Sequence, residues 1–151
     1  MNKKISIGDS VPSFNLKNQF GESVDMHQYI GKTKMVIYFY PKDDTPGCTK
    51  EACSFRDHFE AFREKGIEVF GISADSVSSH LNFAKKHRLS FTLLSDENNE
   101  VRKMFGVPSD LLGLLPGRVT YIVDGSGKVI HIFNSQFKVD KHITEALQKL
   151  S

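Results

Sequence analysis

The sequence predicts an α/β fold in which helices flank a mixed sheet. Three observations carry this expectation. Short apolar runs rich in β-branched and aromatic residues alternate with amphipathic segments of helical period, the pattern of strands joined by helices. Asp124-Gly125-Ser126-Gly127 then separates two further apolar runs with a strong hairpin signal. A last amphipathic segment ends the chain. The order β-α-β-α-β-α, hairpin, α requires both parallel and antiparallel pairing. With 151 residues and no linker, repeat or low-complexity tract, residues 1–151 are expected to form one domain.

In chain order, Ile5 to Phe20 reads as irregular structure with short strands, and Asn18-Gln19-Phe20-Gly21 as a hairpin turn. Ser23 to Gly31 is expected to form a short helix, capped by Asp25 and ended by Gly31. Met35-Val36-Ile37-Tyr38-Phe39 is a buried strand. Two prolines, a glycine and paired aspartates then turn the chain, and a helix follows Gly47 and runs to about Lys65. Ile67 to Ala74 is a strand. Ser76 caps a helix over Val77 to His87, with Val77, Leu81 and Ala84 on its apolar face. Phe91 to Ser95 is a strand and Glu100 to Phe105 a short helix. Gly106 to Gly117 is expected to be a loop. Arg118 to Val123 and Val129 to Phe133 are the hairpin strands, and Asp140 to Leu150 the last helix.

Composition excludes several function classes. Twenty basic against eighteen acidic residues leave a net charge of +2, and no basic cluster is interleaved with aromatics, so nucleic acid is not an expected partner. The longest apolar runs fall far short of the ~20 residues that span a bilayer. No apolar stretch follows the basic residues at the N-terminus, so no secretory signal is visible, and the expected compartment is the cytoplasm. Two cysteines in such a chain favour a redox or metal role over a disulfide framework.

Those cysteines lie in the stretch that organises the chain, Tyr40 to Cys53. Cys48 stands at a loop-to-helix junction, where unpaired backbone N–H groups and the helix dipole favour an anion. A thiol there is expected to ionise readily, and the thiolate is the reactive form. Ala52, Phe55, Phe59 and Phe62 form the apolar stripe of the helix, with Cys48 one turn before it on the same face. Cys53 is off that stripe, beside Arg56, Asp57 and Glu60, which argues against a purely packing role. Residues five apart in an intact helix have Cα atoms roughly 8.6 Å apart, beyond the ~7 Å reach of a disulfide. The two sulfurs meet only if the first turns of the helix unwind.

Pro41-x-x-x-Thr45-x-x-Cys48, with Cys53 five residues on, resembles the active site of a peroxiredoxin. The cysteine spacing is similar to that of the bacterioferritin-comigratory, or peroxiredoxin Q, subfamily. The resemblance extends from Gly8-Asp9-x-Val11-Pro12-x-Phe14 to Pro116-Gly117-Arg118-x-Thr120-Tyr121. Phe105 to Leu111, on through Arg118, also resembles cyanobacterial and chloroplast members. The resemblance implies a thioredoxin-like fold with the N-terminal extension of peroxiredoxins. It implies a thiol-dependent peroxidase acting on hydrogen peroxide and organic hydroperoxides, with no cofactor and no metal. Cys48 becomes the peroxidatic cysteine and Cys53 the resolving one, joined in an intramolecular disulfide that thioredoxin or a glutaredoxin-like dithiol reduces. Thr45 orients the thiolate or the peroxide, and Arg118 activates both. Pro41, Gly47 and Glu51 line the pocket. The subfamily leans toward a monomer.

Other readings stand beside this one. The pair as inert core cysteines conflicts with the polar setting of Cys53. A zinc site of Cys48, Cys53 and His58 turns its ligands apart on a helix. Arg118 as an ordinary ion-pair partner and Thr45 as a simple cap remain open. A thioredoxin-like disulfide reductase would use Cys-x-x-Cys, and a non-enzymatic holdase would not need the motif. Asp43 and Asp44 read as turn-formers, and His27, His80, His87, His131 and His142 as surface or satisfied residues.

Overall fold

The computed structural model describes residues 4–110, 115–134 and 139–150. The chain begins with the hairpin β1 (Asn15–Asn18) and β2 (Ser23–Asp25), followed by a 3-10 turn at Met26–Gln28. Then come β3 (Lys34–Phe39), α1 (Pro46–Asp57), α2 (Phe59–Glu64), β4 (Ile67–Ser73), α3 (Val77–His87), β5 (Thr92–Ser95) and α4 (Glu100–Phe105). After β6 (Ser109–Asp110) and β7 (Leu115–Pro116), β8 (Val119–Val123), β9 (Val129–Asn134) and α5 (Val139–Lys149) complete the chain.

Seven strands form one sheet in the order β2-β1-β5-β4-β3-β8-β9. β3, β4 and β5 run parallel, while β8 is antiparallel to β3 and β9 to β8. The expected mixed sheet follows from helical crossovers on one side and the 124–127 turn on the other. Side chains alternate across β3, so its two faces serve two cores. Val36 and Tyr38 join Cys48, Ala52, Phe55, Phe62 and Phe83, with α5 contributing Ile143, Ala146 and Leu150. Met35, Ile37 and Phe39 join Phe70, Ile72, Phe105 and Tyr121 on the other face. The sheet therefore buries both sides, which explains why its central strands are apolar throughout.

Three spans differ from expectation. Ser23 to Asp25 is a strand paired with β1, and only a 3-10 turn remains of the expected helix. Asp25 does cap that turn, accepting the His27 N–H at 3.0 Å, but cross-strand pairing claims the residues before it. The helix after Gly47 is interrupted at His58, where φ is −101° and ψ is 7°. There the Ser54 carbonyl faces both the His58 backbone N–H and its ring, at 3.1 and 2.9 Å. Within Gly106 to Gly117, β6 and β7 pair as a short antiparallel ribbon; residues 111–114 of that span lie outside the described residues. No described helix is long and apolar enough to cross a membrane.

Candidate active site

Cys48 is the third residue of α1, whose first residue is Pro46 and whose N-cap is Thr45. Proline suits this place because its missing N–H would be unpaired anyway. The loop from β3 delivers the sulfur to the end of the parallel strands, where it is 1% exposed. Phe39 pairs with Val119 across β3 and β8. The next residue outward on β8 is Arg118, which therefore faces the βα junction. Its Nη2 donates to Cys48 Sγ at 3.2 Å and its Nη1 to Glu51 Oε1 at 2.5 Å. Gly47 permits this approach, since a Cβ built there would lie 3.0 Å from Arg118 Nη2.

Glu51 lies one turn after Cys48 and is fully buried. Two groups of negative or potentially negative charge thus share one guanidinium. Burial alone would lower the proton affinity of Arg118, but facing Glu51 and Cys48 outweighs it and raises the pKa above its ordinary value. The guanidinium stays cationic. Burial pushes the Glu51 carboxyl up to about 7, against the pull of Arg118. Among the described residues its second oxygen has no hydrogen-bond partner; it lies 3.6 Å from His142 Nδ1. That ring is fully buried and hydrogen-bonds the Thr120 hydroxyl. Tyr38, also beneath the site, has its pKa raised well above the ordinary value by burial first and then by Glu51, Cys48 and Asp43.

The structure brings Cys48, Arg118, Glu51 and Gly47 together. Pro41 is half-buried in the same loop. The Thr45 hydroxyl donates to the Lys42 carbonyl at 2.8 Å, closing the turn, and does not bond the sulfur. Cys48 and Cys53 are both free, the first buried and the second half-buried, and α1 is continuous between them. At helical geometry their Cα atoms stand ~8.6 Å apart, so the coiled form holds the sulfurs separate.

The structure adds to what the sequence indicates at three places. Asp43, read as a turn-former, is 4% exposed and faces His80. His80 and His142, read as surface or satisfied residues, are fully buried and hydrogen-bonded, the satisfied alternative. Arg102 was missed altogether; from α4 it donates to the Gly117 and Tyr40 carbonyls at 2.9 and 3.0 Å and lies over the Phe39 ring. It thereby braces the two segments that carry Arg118 and the Cys48 loop. A lone arginine in a short amphipathic helix gave no signal of this. Among the described residues, Asp43, Asp75 and His80 are the metal-ligand types that come together, not Cys48, Cys53 and His58.

Residues 7–132 match the AhpC/TSA family. The chain belongs to that family. It is 56% identical over 145 residues to "Peroxiredoxin Q, chloroplastic" of Triticum aestivum and 55% identical over 147 residues to the protein of that name from Populus jackii. The matches cover 96% and 97% of this chain but 66% and 68% of those relatives, so the chain spans about two thirds of their length. Among solved structures it resembles peroxidoxin BcpB from Mycobacterium tuberculosis, with a TM-score of 0.88 and 38% identity over 97% of this chain and 96% of that one. Peroxiredoxin Q of Xanthomonas campestris follows at 0.81 and 32%, over 91% and 89%. Alkyl peroxide reduction is the activity described for the bacterioferritin comigratory protein of that organism.

The family membership and these relatives make this AhpC/TSA chain a thiol-dependent peroxidase with a thioredoxin-like fold, acting on peroxide with a thiol reductant. The cytoplasmic expectation is overturned by the relatives, which are named chloroplastic and point to the plastid. Residues that build a catalytic core are selected for packing and chemistry, so they carry no compartment signal of the kind that targeting segments do.

Proposed function

We propose that residues 1–151 act as a single thioredoxin-like domain in which Cys48 is the peroxidatic cysteine and Cys53 resolves it. The observation that carries this reading is the Arg118 Nη2 to Cys48 Sγ contact of 3.2 Å at the start of α1. A guanidinium and a helix N-terminus both direct positive charge at the attacking sulfur. The thiolate attacks the terminal oxygen of a hydroperoxide. An S–O bond forms, the O–O bond breaks, and sulfur gives up two electrons. The alkoxide, or hydroxide from hydrogen peroxide, takes a proton and leaves. Arg118 and the first N–H groups of α1 stabilise the charge that grows on the departing oxygen. Thr45 donates to Lys42, which leaves its oxygen to accept the peroxide proton. Pro41 and Gly47 shape the pocket, and Glu51 fixes the guanidinium.

The sulfenic acid on Cys48 then condenses with the Cys53 thiol, forming the S–S bond and releasing water. This requires the turns from Thr45 to about Phe55 to unwind. An external dithiol, of thioredoxin or glutaredoxin-like type, takes the disulfide's place as the oxidised partner and returns both thiols.

Peroxide consumption with thioredoxin as reductant tests the reading. Cys48→Ser should abolish turnover, and Cys53→Ser should keep one oxidation per chain but fail to recycle. Peroxide-treated wild type should lose two hydrogens in mass, mapped to one intramolecular Cys48–Cys53 bond. Turnover that survives Cys48→Ser would overturn it.

A further inference from the structure

A second buried polar cluster lies at the other end of the Cys48 loop. Asp43, five residues before the cysteine, offers one carboxylate to three donors from two elements. Its Oδ1 accepts the Tyr40 hydroxyl at 2.6 Å, and its Oδ2 accepts the Ser79 hydroxyl at 2.9 Å and faces His80 Nδ1 at 2.8 Å. His80 Nε2 lies 3.0 Å from the Leu94 carbonyl. A carbonyl oxygen only accepts, so Nε2 carries a hydrogen. The 2.8 Å approach of Nδ1 to Oδ2 is a hydrogen bond shared by the two side chains.

The backbone is fastened as well. The Asp43 N–H donates to Asp75 Oδ2 at 2.8 Å, and Asp75 is held by the Ser73 hydroxyl at 2.6 Å. The next residue, Asp44, has φ of 61°, a left-handed conformation that a side-chain-bearing residue adopts at a cost and keeps only when its surroundings hold it. The facing atoms of Asp43 and His80 are already engaged with protein groups, which makes the cluster a fastening and not an open cation site.

We propose that Asp43 and His80 are positioning residues for the peroxidase reaction, tying the loop before Cys48 to α3. The tie anchors one side of Cys48 while the turns toward Cys53 open and reclose. It holds the sulfur in register with Arg118, the geometry that reacts with peroxide. This rests on Cys48 being the peroxidatic residue. Loosening the tie shifts the chain toward the opened form, so the first oxidation slows. Disulfide formation, which needs the opened form, does not slow with it. Overoxidation falls too. In that side reaction the closed Cys48 sulfenate attacks a second hydroperoxide, breaking its O–O bond, to give sulfinate and alcohol.

The test uses the reduced full chain with His80→Leu, His80→Asn and Ser79→Ala, read by single-turnover peroxide consumption and by the sulfinic-to-disulfide ratio at high peroxide. Asparagine can place a donor where Nδ1 stands, whereas leucine cannot. His80→Leu should lower the first-step rate by about tenfold, the equivalent of one buried charge-assisted hydrogen bond, and lower the sulfinic fraction. His80→Asn should restore most of both. If His80→Leu does not fold, Ser79→Ala should still slow the first step by about threefold, the share of a weaker neutral donor. Unchanged rates and ratio in folded His80→Leu, or in Ser79→Ala where His80→Leu does not fold, would overturn the proposal. So would equal slowing of oxidation and disulfide formation. A wild type whose peroxide consumption ignores Cys48→Ser would instead remove the reading beneath it.

Discussion

Gly47→Ala should leave the protein about as stable and make the enzyme worse. The added Cβ would stand 3.0 Å from Arg118 Nη2, about 0.4 Å inside ordinary van der Waals contact. Arg118 cannot swing freely aside, because it is 3% exposed and bonded to Glu51 and Cys48. The guanidinium must recede and lengthen its 3.2 Å contact with the sulfur. A hydrogen bond to a charged group contributes about 1.5–3 kcal/mol, and forfeiting a third to a half of that is about 1 kcal/mol. The expected result is a roughly fivefold fall in kcat/KM for peroxide. Alanine meanwhile removes backbone freedom from the unfolded chain and favours the helix by about 0.5–1 kcal/mol. That gain and the loss at Arg118 nearly cancel, so Tm should move by less than about 2 °C and disulfide formation, which needs the coil to open, should change by less than about twofold. Pseudo-first-order peroxide consumption, acid-quenched disulfide mapping and thermal unfolding read the three effects. An unchanged kcat/KM would refute the claim that Gly47 is there for the approach of Arg118.

The same site carries two further predictions. The Glu51 carboxyl rises from its ordinary value of 4.5 to about 7 in the fold, so the folded chain binds its proton more tightly. Its contribution to stability is fully present below about pH 4.5 and is lost as pH rises through about 7, on the order of 3 kcal/mol. Glu51→Gln should flatten the stability profile across that window, and an unaltered slope in urea unfolding would contradict the assignment. On oxidation with peroxide, amides from Thr45 to about Phe55 should lose hydrogen-exchange protection, while those of β3 and β4 keep theirs. Lys50 is largely exposed and pairs with Asp140, itself exposed, so the buried contacts that opening breaks are those of Cys48 and Glu51 with Arg118 and, beyond them, those of Ala52 and Phe55. Unchanged protection in the disulfide form would contradict the unwinding step.

Much of this protein is legible in its residues read singly and in local pattern. The helix Val77–His87 lies where period and the Ser76 cap place it, and Glu100–Phe105 follows the turn expected before it, because these signals act within a few residues. Cys48 on the buried face and Cys53 off it follow from the same 3.6-residue geometry. Arg118 was found because a resemblance named it, and its distance from Cys48 along the chain left no local trace. Compartment was misread although Phe105 to Arg118 resembled chloroplast members.

Tertiary structure decided the rest. Asp43 looks like any turn aspartate until α3 brings Ser79 and His80 to it from more than thirty residues away. Glu51 looks like a solvent-facing helix carboxylate until α5 and β8 close over it with His142 and Arg118. Whether a polar side chain is buried, and what it then meets, depends on which distant elements pack above it. Periodicity along one segment carries no record of that. The chain alone therefore determined where its helices and strands run and which sulfur faces inward, and the packing of β8, α3 and α5 determined which charges that sulfur meets.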